Sequence, residues 1–331
     1  MLRLKDIGLK PKLIALFIAV GVISLAAVGV YSAILSTNAL EEEAFNQLRA
    51  VRNIKLNQVE GYFVERRDDL DVLLTTVESL QEAAFRELEA VQSNQARAIE
   101  GYFEDNTITR ADVVPQSELH RDLQRIVGNR EGLGETGESY LVEYLDGKYI
   151  FRSDMTTMGG GDFVFGYDAT SIAPEYLQAA ARGESGSEVF TDSSGTLVAV
   201  VYEPLEAEGM NWVLVTKMNL EEAIAPDLKT TGESYYTSYI KSYGYYDLFL
   251  IHPEGEIFYS EAKEADYGTN ILNGPYKESS LGDAVRAAQS SRGFGFGDYE
   301  PYEPSGGVPA SFIAKALVVD GKIELFVALQ M

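Results

Sequence analysis

The stretch GETGESYLVEYLDGKYIFRSD, residues 134–154, contains the pattern that decides the fold. Its runs YLVEY and YIFR lie on either side of Asp146-Gly147-Lys148. An Asp-Gly pair between alternating apolar runs is a strong short-range signal for a β-hairpin. We therefore predict two antiparallel strands joined by a tight turn, with the polar segment Arg152-Ser153-Asp154 leaving the second strand.

Further short apolar runs follow on the C-terminal side and fall into two similar groups. The first group contains EVFT, TLVAVVY and MNWVLVTKM, and the second contains DLFLIHPEGEIFYS, ASFIAKALVV and KIELFVALQ. Helical segments separate these runs, near 173–181 and near 280–290. Strands joined by tight turns with inserted helices indicate an α+β fold. We predict two modules of one architecture, a first module at 116–228 and a second at 229–331, each an antiparallel sheet flanked by helices.

Residues 36–115, on the N-terminal side, are predicted to form a long helical stalk. No proline occurs between Pro11 and Pro115, and apolar residues recur at spacings of three and four. Two segments repeat at an offset of 40 residues, LRAVRNIKLNQVEGYF at 48–63 and LEAVQSNQARAIEGYF at 88–103. The shared EGYF ending favours duplication of one helical element, with coincidence between two amphipathic helices as the alternative.

The segment LIALFIAVGVISLAAVGVYSAIL, residues 13–35, is uncharged and long enough to cross a bilayer. Four basic residues and one acidic residue precede it, whereas Glu41, Glu42 and Glu43 follow it. The positive-inside rule then gives a cytoplasmic tail at 1–12, a transmembrane helix in the inner (plasma) membrane, and residues 36–331 outside the cytoplasm. A cleaved signal peptide is the alternative, although its apolar region is usually shorter.

Composition excludes several classes of function. The chain of 331 residues has 51 acidic and 27 basic side chains, a net charge of −24, which argues against a nucleic-acid partner. It has no cysteine and two histidines, His120 and His252, so disulfides, thiol catalysis and Cys/His zinc sites are not expected. No catalytic motif or cofactor signature occurs, and we predict neither enzyme nor cofactor. Gly159-Gly160-Gly161 is read as a turn or pocket lid.

Four stretches together resemble a known family of sensors. These are residues 51–73, 134–154, 243–276 and 298–314. They are similar to the double-Cache extracytoplasmic sensor region of bacterial methyl-accepting chemotaxis proteins and related sensor kinases and cyclases. The resemblance implies PAS-like Cache modules, a homodimer, and a small polar ligand whose binding changes the membrane helix.

In that family the YYDLFLI module commonly precedes the ETGES module. Here the order is reversed, so we expect a longer protein with an output domain and allow for a third module beyond Met331.

The candidate ligand-binding residues lie mainly in the second module. Aromatic and polar side chains cluster there in one short span, and Lys263 adds a positive charge suited to a carboxylate. The set is Tyr246, Asp247, Tyr259, Lys263, Tyr267 and Asn270. In the first module, Arg152 and Asp154 are candidates for a carboxylate and an ammonium group, or for a structural ion pair. The Arg-x-Trp-Tyr pattern of the amino-acid-binding subclass is missing. An anchored extracytoplasmic interaction module remains the alternative to a sensor.

Overall fold

The computed structural model describes residues 8–155, 164–207, 209–225 and 233–331. The chain divides into two compact units, Met1–Arg66 and Arg67–Met331. Two features used above lie outside the described residues: the N-terminal basic residues Arg3 and Lys5, and the triple glycine at 159–161.

Helix α1 extends over Leu9–Asp105 and contains the predicted apolar segment. Within the described residues it is the one helix that is long and apolar enough to cross a membrane, with a mean hydropathy of 2.8 over its best window and none of that window buried. In the first unit its apolar side chains are exposed, including Leu48, Val51 and Val59. In the second unit, positions spaced by three and four are buried, among them Leu70 and Val77. The predicted helical stalk at 36–115 is therefore part of α1 as far as Asp105, where the helix ends.

A five-stranded antiparallel sheet forms the centre of the first module, with the order β2-β1-β5-β4-β3. Its elements are α2 (Glu118–Val127), β1 (Glu138–Leu145), β2 (Lys148–Phe151), α3 (Glu175–Ala181), β3 (Gly186–Thr191), β4 (Leu197–Ala207), β5 (Met210–Asn219) and α4 (Leu220–Ile224). Helix α3 begins two residues later than predicted because Pro174 is its N-cap and has extended backbone angles.

The second module repeats this topology in a second antiparallel sheet, with the order β7-β6-β10-β9-β8. Its elements are α5 (Tyr235–Tyr243), β6 (Asp247–Ile251), β7 (Ile257–Ser260), α6 (Ser280–Ser291), β8 (Phe294–Tyr302), β9 (Val308–Val319) and β10 (Lys322–Gln330). Strand for strand, β6 to β10 occupy the places of β1 to β5. The prediction of an α+β fold with two copies of one architecture is confirmed.

The predicted Asp146-Gly147 turn is present, and an Asp-Gly turn of the same kind joins β9 to β10. Asp146 and Gly147 have φ angles of 50° and 81°, and Asp320 and Gly321 have φ angles of 47° and 77°. Two successive positive φ angles define the type I′ turn, whose twist matches that of paired strands. Glycine at the second position of each turn avoids the steric cost that a side chain has there.

Side chains alternate along the strands, so the two faces of each sheet pack into different hydrophobic cores. In β10, Leu325, Val327 and Leu329 join a core shared with α1, whereas Phe326 and Ala328 pack toward α6. In β5, Trp212 and Leu214 face α1 and α2, while Val213 and Val215 face α3. Each module therefore has one face against α1 and the opposite face beneath its own short helix, α3 or α6.

Candidate functional site

Asp247, the central residue of the predicted site, is fully buried at the start of β6. Its Oδ1 accepts hydrogen bonds from the backbone N–H groups of Leu248, Glu261 and Ala262 at 2.7, 2.9 and 3.0 Å. Its Oδ2 accepts from the hydroxyl of Ser260 at 2.7 Å. Burial raises the pKa of Asp247 to about 6, and these hydrogen bonds oppose the shift. In this position the carboxyl fixes the chain after β7.

Tyr259 and Lys263 line a cavity of about 760 Å³ between the two modules, which we call the Lys263 cavity. The Tyr259 hydroxyl donates to Glu261 Oε2 at 2.5 Å, and burial raises the pKa of Tyr259 above its usual value. Five carboxylates line the same cavity: Glu135, Glu221, Glu222, Glu233 and Glu261. So many negative charges around one lysine make this cavity unfavourable for an anion.

The remaining second-module candidates are not brought together. Tyr246 is exposed and donates to Glu264 at 2.7 Å. Tyr267 lies under the Lys263 ammonium, 5.6 Å from ring centroid to Nζ. Asn270 donates to the backbone carbonyl of Glu254 at 2.9 Å, and its Oδ1 accepts from two backbone N–H groups of its own loop. Asn270 thus stabilises a turn.

In the first module, Arg152 is held by a buried carboxylate. Its Nε donates to Glu143 Oε2 at 2.7 Å, and Arg110 pairs with the other oxygen of the same carboxylate. Asp154 Oδ1 accepts from the backbone N–H of Phe165 at 2.7 Å, and Oδ2 lies 3.8 Å from His120 Nε2. The geometry of Arg152 is that of a structural ion pair, which is one of the two roles predicted for it.

The face of the second sheet beneath α6 is closed by close packing. A Cβ on Gly295 would collide with the backbone of Ala284 and Ala288, and one on Gly297 would collide with the carbonyl of Ser280. Two glycines on β8 therefore let α6 approach to backbone contact. Fully buried apolar side chains fill the remaining space there.

The corresponding face of the first sheet holds a cavity of about 60 Å³ beneath α3, which we call the Lys217 cavity. Aromatic and aliphatic side chains form most of its wall, and Asp192, Ser193 and Lys217 supply its charged and polar groups. The wall residues are Tyr140, Phe151, Met155, Ala169, Ile172, Ala173, Pro174, Tyr176, Leu177 and Phe190. Apolar walls with a few convergent polar groups are typical of small-molecule sites.

Lys217 is buried on β5, with 7% of its surface exposed. Its Nζ lies 3.9 Å from Asp192 Oδ2, beyond hydrogen-bonding distance. Burial lowers the pKa of Lys217, while Asp192 and Glu138 oppose that shift. Asp192 Oδ1 accepts from Ser194 and Thr196 in the turn before β4. The second oxygen of Asp192 and the Lys217 ammonium therefore face the cavity as an opposed pair of charges.

Two tyrosine hydroxyls complete the polar lining. The hydroxyls of Tyr140 on β1 and Tyr176 on α3 are 3.0 Å apart. Burial raises the pKa of Tyr176 to about 12 and that of Tyr140 well above its usual value. Both therefore stay protonated at neutral pH; one hydroxyl donates to the other, and the second can donate to a bound oxygen.

Sequence reasoning missed the Lys217 cavity, although one signal was present. Val213, Val215 and Lys217 alternate along β5 and share one face of the strand. A lysine that continues an inward-facing apolar series has to be buried. Its partner Asp192 lies 25 positions earlier in the chain, so no local motif connects the two. Within the described ranges, no group of three or more histidine or carboxylate side chains is arranged to hold a metal ion.

Comparisons with known proteins give matches among solved structures only. No family model and no curated protein matches the chain. Similar solved structures include the periplasmic sensory domain of the Campylobacter jejuni chemoreceptor Tlp1, with 11% identity, a TM-score of 0.43, and coverage of 81% of this chain and 95% of that chain. The ligand-binding domain of the Pseudomonas aeruginosa PAO1 amino acid chemoreceptor PctC, in complex with GABA, has 17% identity, a TM-score of 0.39, and coverage of 82% and 99%.

The ligand-binding domain of Campylobacter jejuni Tlp3 in complex with L-valine is also similar, with 13% identity, a TM-score of 0.40, and coverage of 80% of this chain and 94% of that chain. These neighbours are sensory domains of chemoreceptors, as the sequence resemblance to double-Cache regions predicts. Since all these TM-scores lie below 0.5, no residue role or ligand is transferred from them.

Proposed function

We propose that this chain is the extracytoplasmic ligand-sensing region of a transmembrane receptor, and that the Lys217 cavity of the first module is its ligand site. The observation that carries the proposal is a buried lysine facing an aspartate across an aromatic-walled cavity. Burying a charge is costly unless a partner compensates it. Asp192, 3.9 Å away, already compensates part of the charge of Lys217, and a bound carboxylate would add a second partner.

The size of the cavity limits the ligand. At about 10–15 Å³ per water molecule, 60 Å³ holds about four to six waters, or a ligand with about that many heavy atoms. Lys217 and one of the two tyrosine hydroxyls would bind a carboxylate, and Asp192 would accept from a hydroxyl or ammonium group. The favoured ligand is therefore a two- or three-carbon carboxylate that also carries a hydrogen-bond donor.

Strand β5 provides a route from the ligand to α1. Lys217 lies on the cavity face of β5, and Leu214 on the same strand contacts α1. The side-chain amide of Gln92 in α1 donates to the backbone carbonyls of Leu214 and Val201 at 2.8 and 3.1 Å. If the ligand binds more tightly when β5 is in one of two positions, its binding favours that position of β5. Because α1 is hydrogen-bonded to β5, the population of α1 positions would shift with it. A chemotaxis receptor is the first expectation for the whole protein, with a kinase or cyclase as alternatives.

A thermal-shift screen of short carboxylates against the purified chain tests the site. A ligand at a hundredfold excess over its dissociation constant should stabilise the fold by about 2.7 kcal/mol. Lys217→Met keeps the aliphatic stem and removes the charge, and should weaken binding about 10- to 100-fold. Lys263→Met is the matched control and should bind as the unmodified chain does. An unaffected Lys217→Met protein would contradict the proposal.

The Lys263 cavity is the second candidate because Tyr259 and Lys263, two of the predicted residues, both line it. If it binds the carboxylate, Lys263→Met loses binding and Lys217→Met retains it. The two variants therefore separate the modules. The other predicted residues are tested only indirectly, by which of the two cavities binds the carboxylate.

The membrane topology is part of the same proposal. Residues 13–35 would anchor the chain in the inner membrane, with everything after them outside the cytoplasm. Alkaline phosphatase fused after Met331 should be active in cells. An inactive fusion that is expressed at a normal level would contradict this orientation.

A further inference from the structure

A cavity of about 470 Å³ lies where α1, the first module and the second module meet, on residues that contribute to neither ligand site considered above. We call it the Gln81 cavity. Gln81 of α1, Glu188 of β3 and Glu324 of β10 contribute polar groups to it. Its volume lies within the range of about 300–1,000 Å³ that is usual for ligand sites.

Gln81 has an oxygen that no group satisfies. The side chain is 7% exposed, and its Nε2 donates to Glu324 Oε2 at 2.6 Å. Among the described residues, Oε1 has no hydrogen-bond partner. A buried acceptor without a partner costs about 1–3 kcal/mol, so a donor at this position would be favourable.

The charged lining is predominantly negative. Glu78, Glu188, Asp320 and Glu324 line the cavity, with Lys322 as the cationic lining residue. Partial burial raises the pKa of Glu188, and Lys322 opposes the shift. The negative charge of Glu188 is therefore only partly compensated by the groups around it.

Glu82 and the hydroxyl residues Ser187 and Thr191 also line the cavity, and apolar side chains form the rest of the wall. They are Phe85, Val189, Leu197, Pro253, Val319 and Ile323. Carboxylates and an amide oxygen offer only acceptors, and the apolar surface between them offers contact area for methylene groups. A ligand that matches both has several N–H donors on an aliphatic chain.

We propose that the Gln81 cavity binds an aliphatic diamine or polyamine. One ammonium group would donate to Gln81 Oε1 and Glu324, and another would pair with Glu188 or Glu78. The methylene chain would lie against the apolar wall. This site is independent of the Lys217 cavity and would give the chain a second, cationic input at the junction of its modules.

Isothermal calorimetry with putrescine tests the proposal on the full chain in detergent micelles at 150 mM salt. Glu188→Gln and Glu324→Gln should each weaken binding about tenfold or more, as expected for loss of a charge-assisted hydrogen bond. Glu300→Gln, at an exposed carboxylate on β8, should have no effect. Lys322→Gln removes the competing cation and should tighten binding several-fold. The neutral isostere 1,4-butanediol should not bind.

Several results would overturn the proposal. If Glu300→Gln weakens binding as much as Glu188→Gln, putrescine is attracted only by the overall charge of −24. If Lys322→Gln leaves the affinity unchanged, or if Glu188→Gln and Glu324→Gln bind normally, the amine does not occupy this cavity. Lys217→Met should retain putrescine binding, which keeps this test separate from that of the carboxylate site.

Discussion

The guanidinium of Arg152 and the carboxylate of Glu143 form a buried pair, with Nη2 2.6 Å from Oε2 and side chains that are 9% and 0% exposed. Glu143 lies on β1 and Arg152 follows β2, so the hairpin predicted from residues 134–154 brings them together. Because the pair is buried, its two charges are not available to a ligand in the way that exposed charges are.

Arg152→Ala should lower the free energy of unfolding by about 3–5 kcal/mol because it removes one of the two arginines that compensate Glu143. Urea denaturation measures the change. The double variant Arg152→Met with Glu143→Leu should recover most of the loss, since an apolar pair replaces the ionic one. Unchanged stability in Arg152→Ala, together with lost ligand binding, would instead make Arg152 a ligand contact.

Asp247 should contribute a pH dependence to stability. Its pKa is raised to about 6 from 3.8, so between these values the folded state holds a proton that the unfolded state has released. The free energy of unfolding from this group therefore falls as the pH rises, by about 2.4 kcal/mol between pH 4 and pH 7.

Asp247→Asn removes this titration and keeps an acceptor for the three backbone N–H groups. Relative to the unmodified chain, it should gain about 2.4 kcal/mol between pH 4 and pH 7 in denaturation curves. Asp247→Ala, which leaves those N–H groups unsatisfied, should be destabilised at every pH. A constant difference between Asp247→Asn and the unmodified chain would show that Asp247 has an ordinary pKa.

Gly297→Ala should destabilise the second module because the added Cβ would collide with the carbonyl of Ser280 in α6. Overpacking of this kind costs about 1–3 kcal/mol. Gly293→Ala is the matched control: its nearest neighbouring atom would be 3.8 Å away, and its effect should stay within about 0.5 kcal/mol. Equal stability of the two variants would mean that α6 does not pack closely on β8.

Homodimer formation through α1 should be detectable by cysteine crosslinking, since the chain has no cysteine. Leu48, Val51, Val59 and Phe63 form one apolar stripe and are exposed in the single chain. A second copy of the helix would cover that stripe. Cysteines at these positions should form disulfides in membranes.

Asn57 is the control for the crosslinking because it lies on the opposite face of the helix, about 180° from Leu48 at 3.6 residues per turn. Asn57→Cys should crosslink weakly or not at all. Equal crosslinking at Asn57 and at the stripe, or none at the stripe, would contradict the predicted dimer interface.

Much of the architecture followed from short-range patterns. The Asp-Gly turns at 146–147 and 320–321 need positive φ angles, which few residues adopt, so they mark hairpins in the sequence. The short apolar runs of β5 and β10 predicted strands because both faces of each strand are buried. Apolar residues at spacings of three and four, such as Leu48 and Val51, predicted the long helix, and farther along it Leu70, Leu73, Leu74 and Val77 are buried. These signals are local, and each is set by a few neighbouring residues.

The site depended on contacts that no local pattern contains. Lys217 and Asp192 meet because β3, β4 and β5 run antiparallel, which brings the turn after β3, where Asp192 lies, beside Lys217 on β5. Predicted candidates such as Asp247 and Asn270 have their hydrogen bonds in the turns that they stabilise. A sequence shows that such side chains can bind a ligand, but not whether the backbone already uses them.

The sequence by itself determined the apolar helix, the two α+β modules and their hairpins, because turn chemistry and hydrophobic periodicity act over a few residues. Only the tertiary structure decided which module keeps a cavity. On β8, Gly295 and Gly297 let α6 approach to backbone contact. On β3, the ring centroid of Phe190 lies 5.3 Å from that of Tyr176 on α3, so an aromatic pair stands between this helix and its sheet. The distance between each helix and its sheet is set by the volume of the side chains that face one another there. Those side chains are distant in sequence.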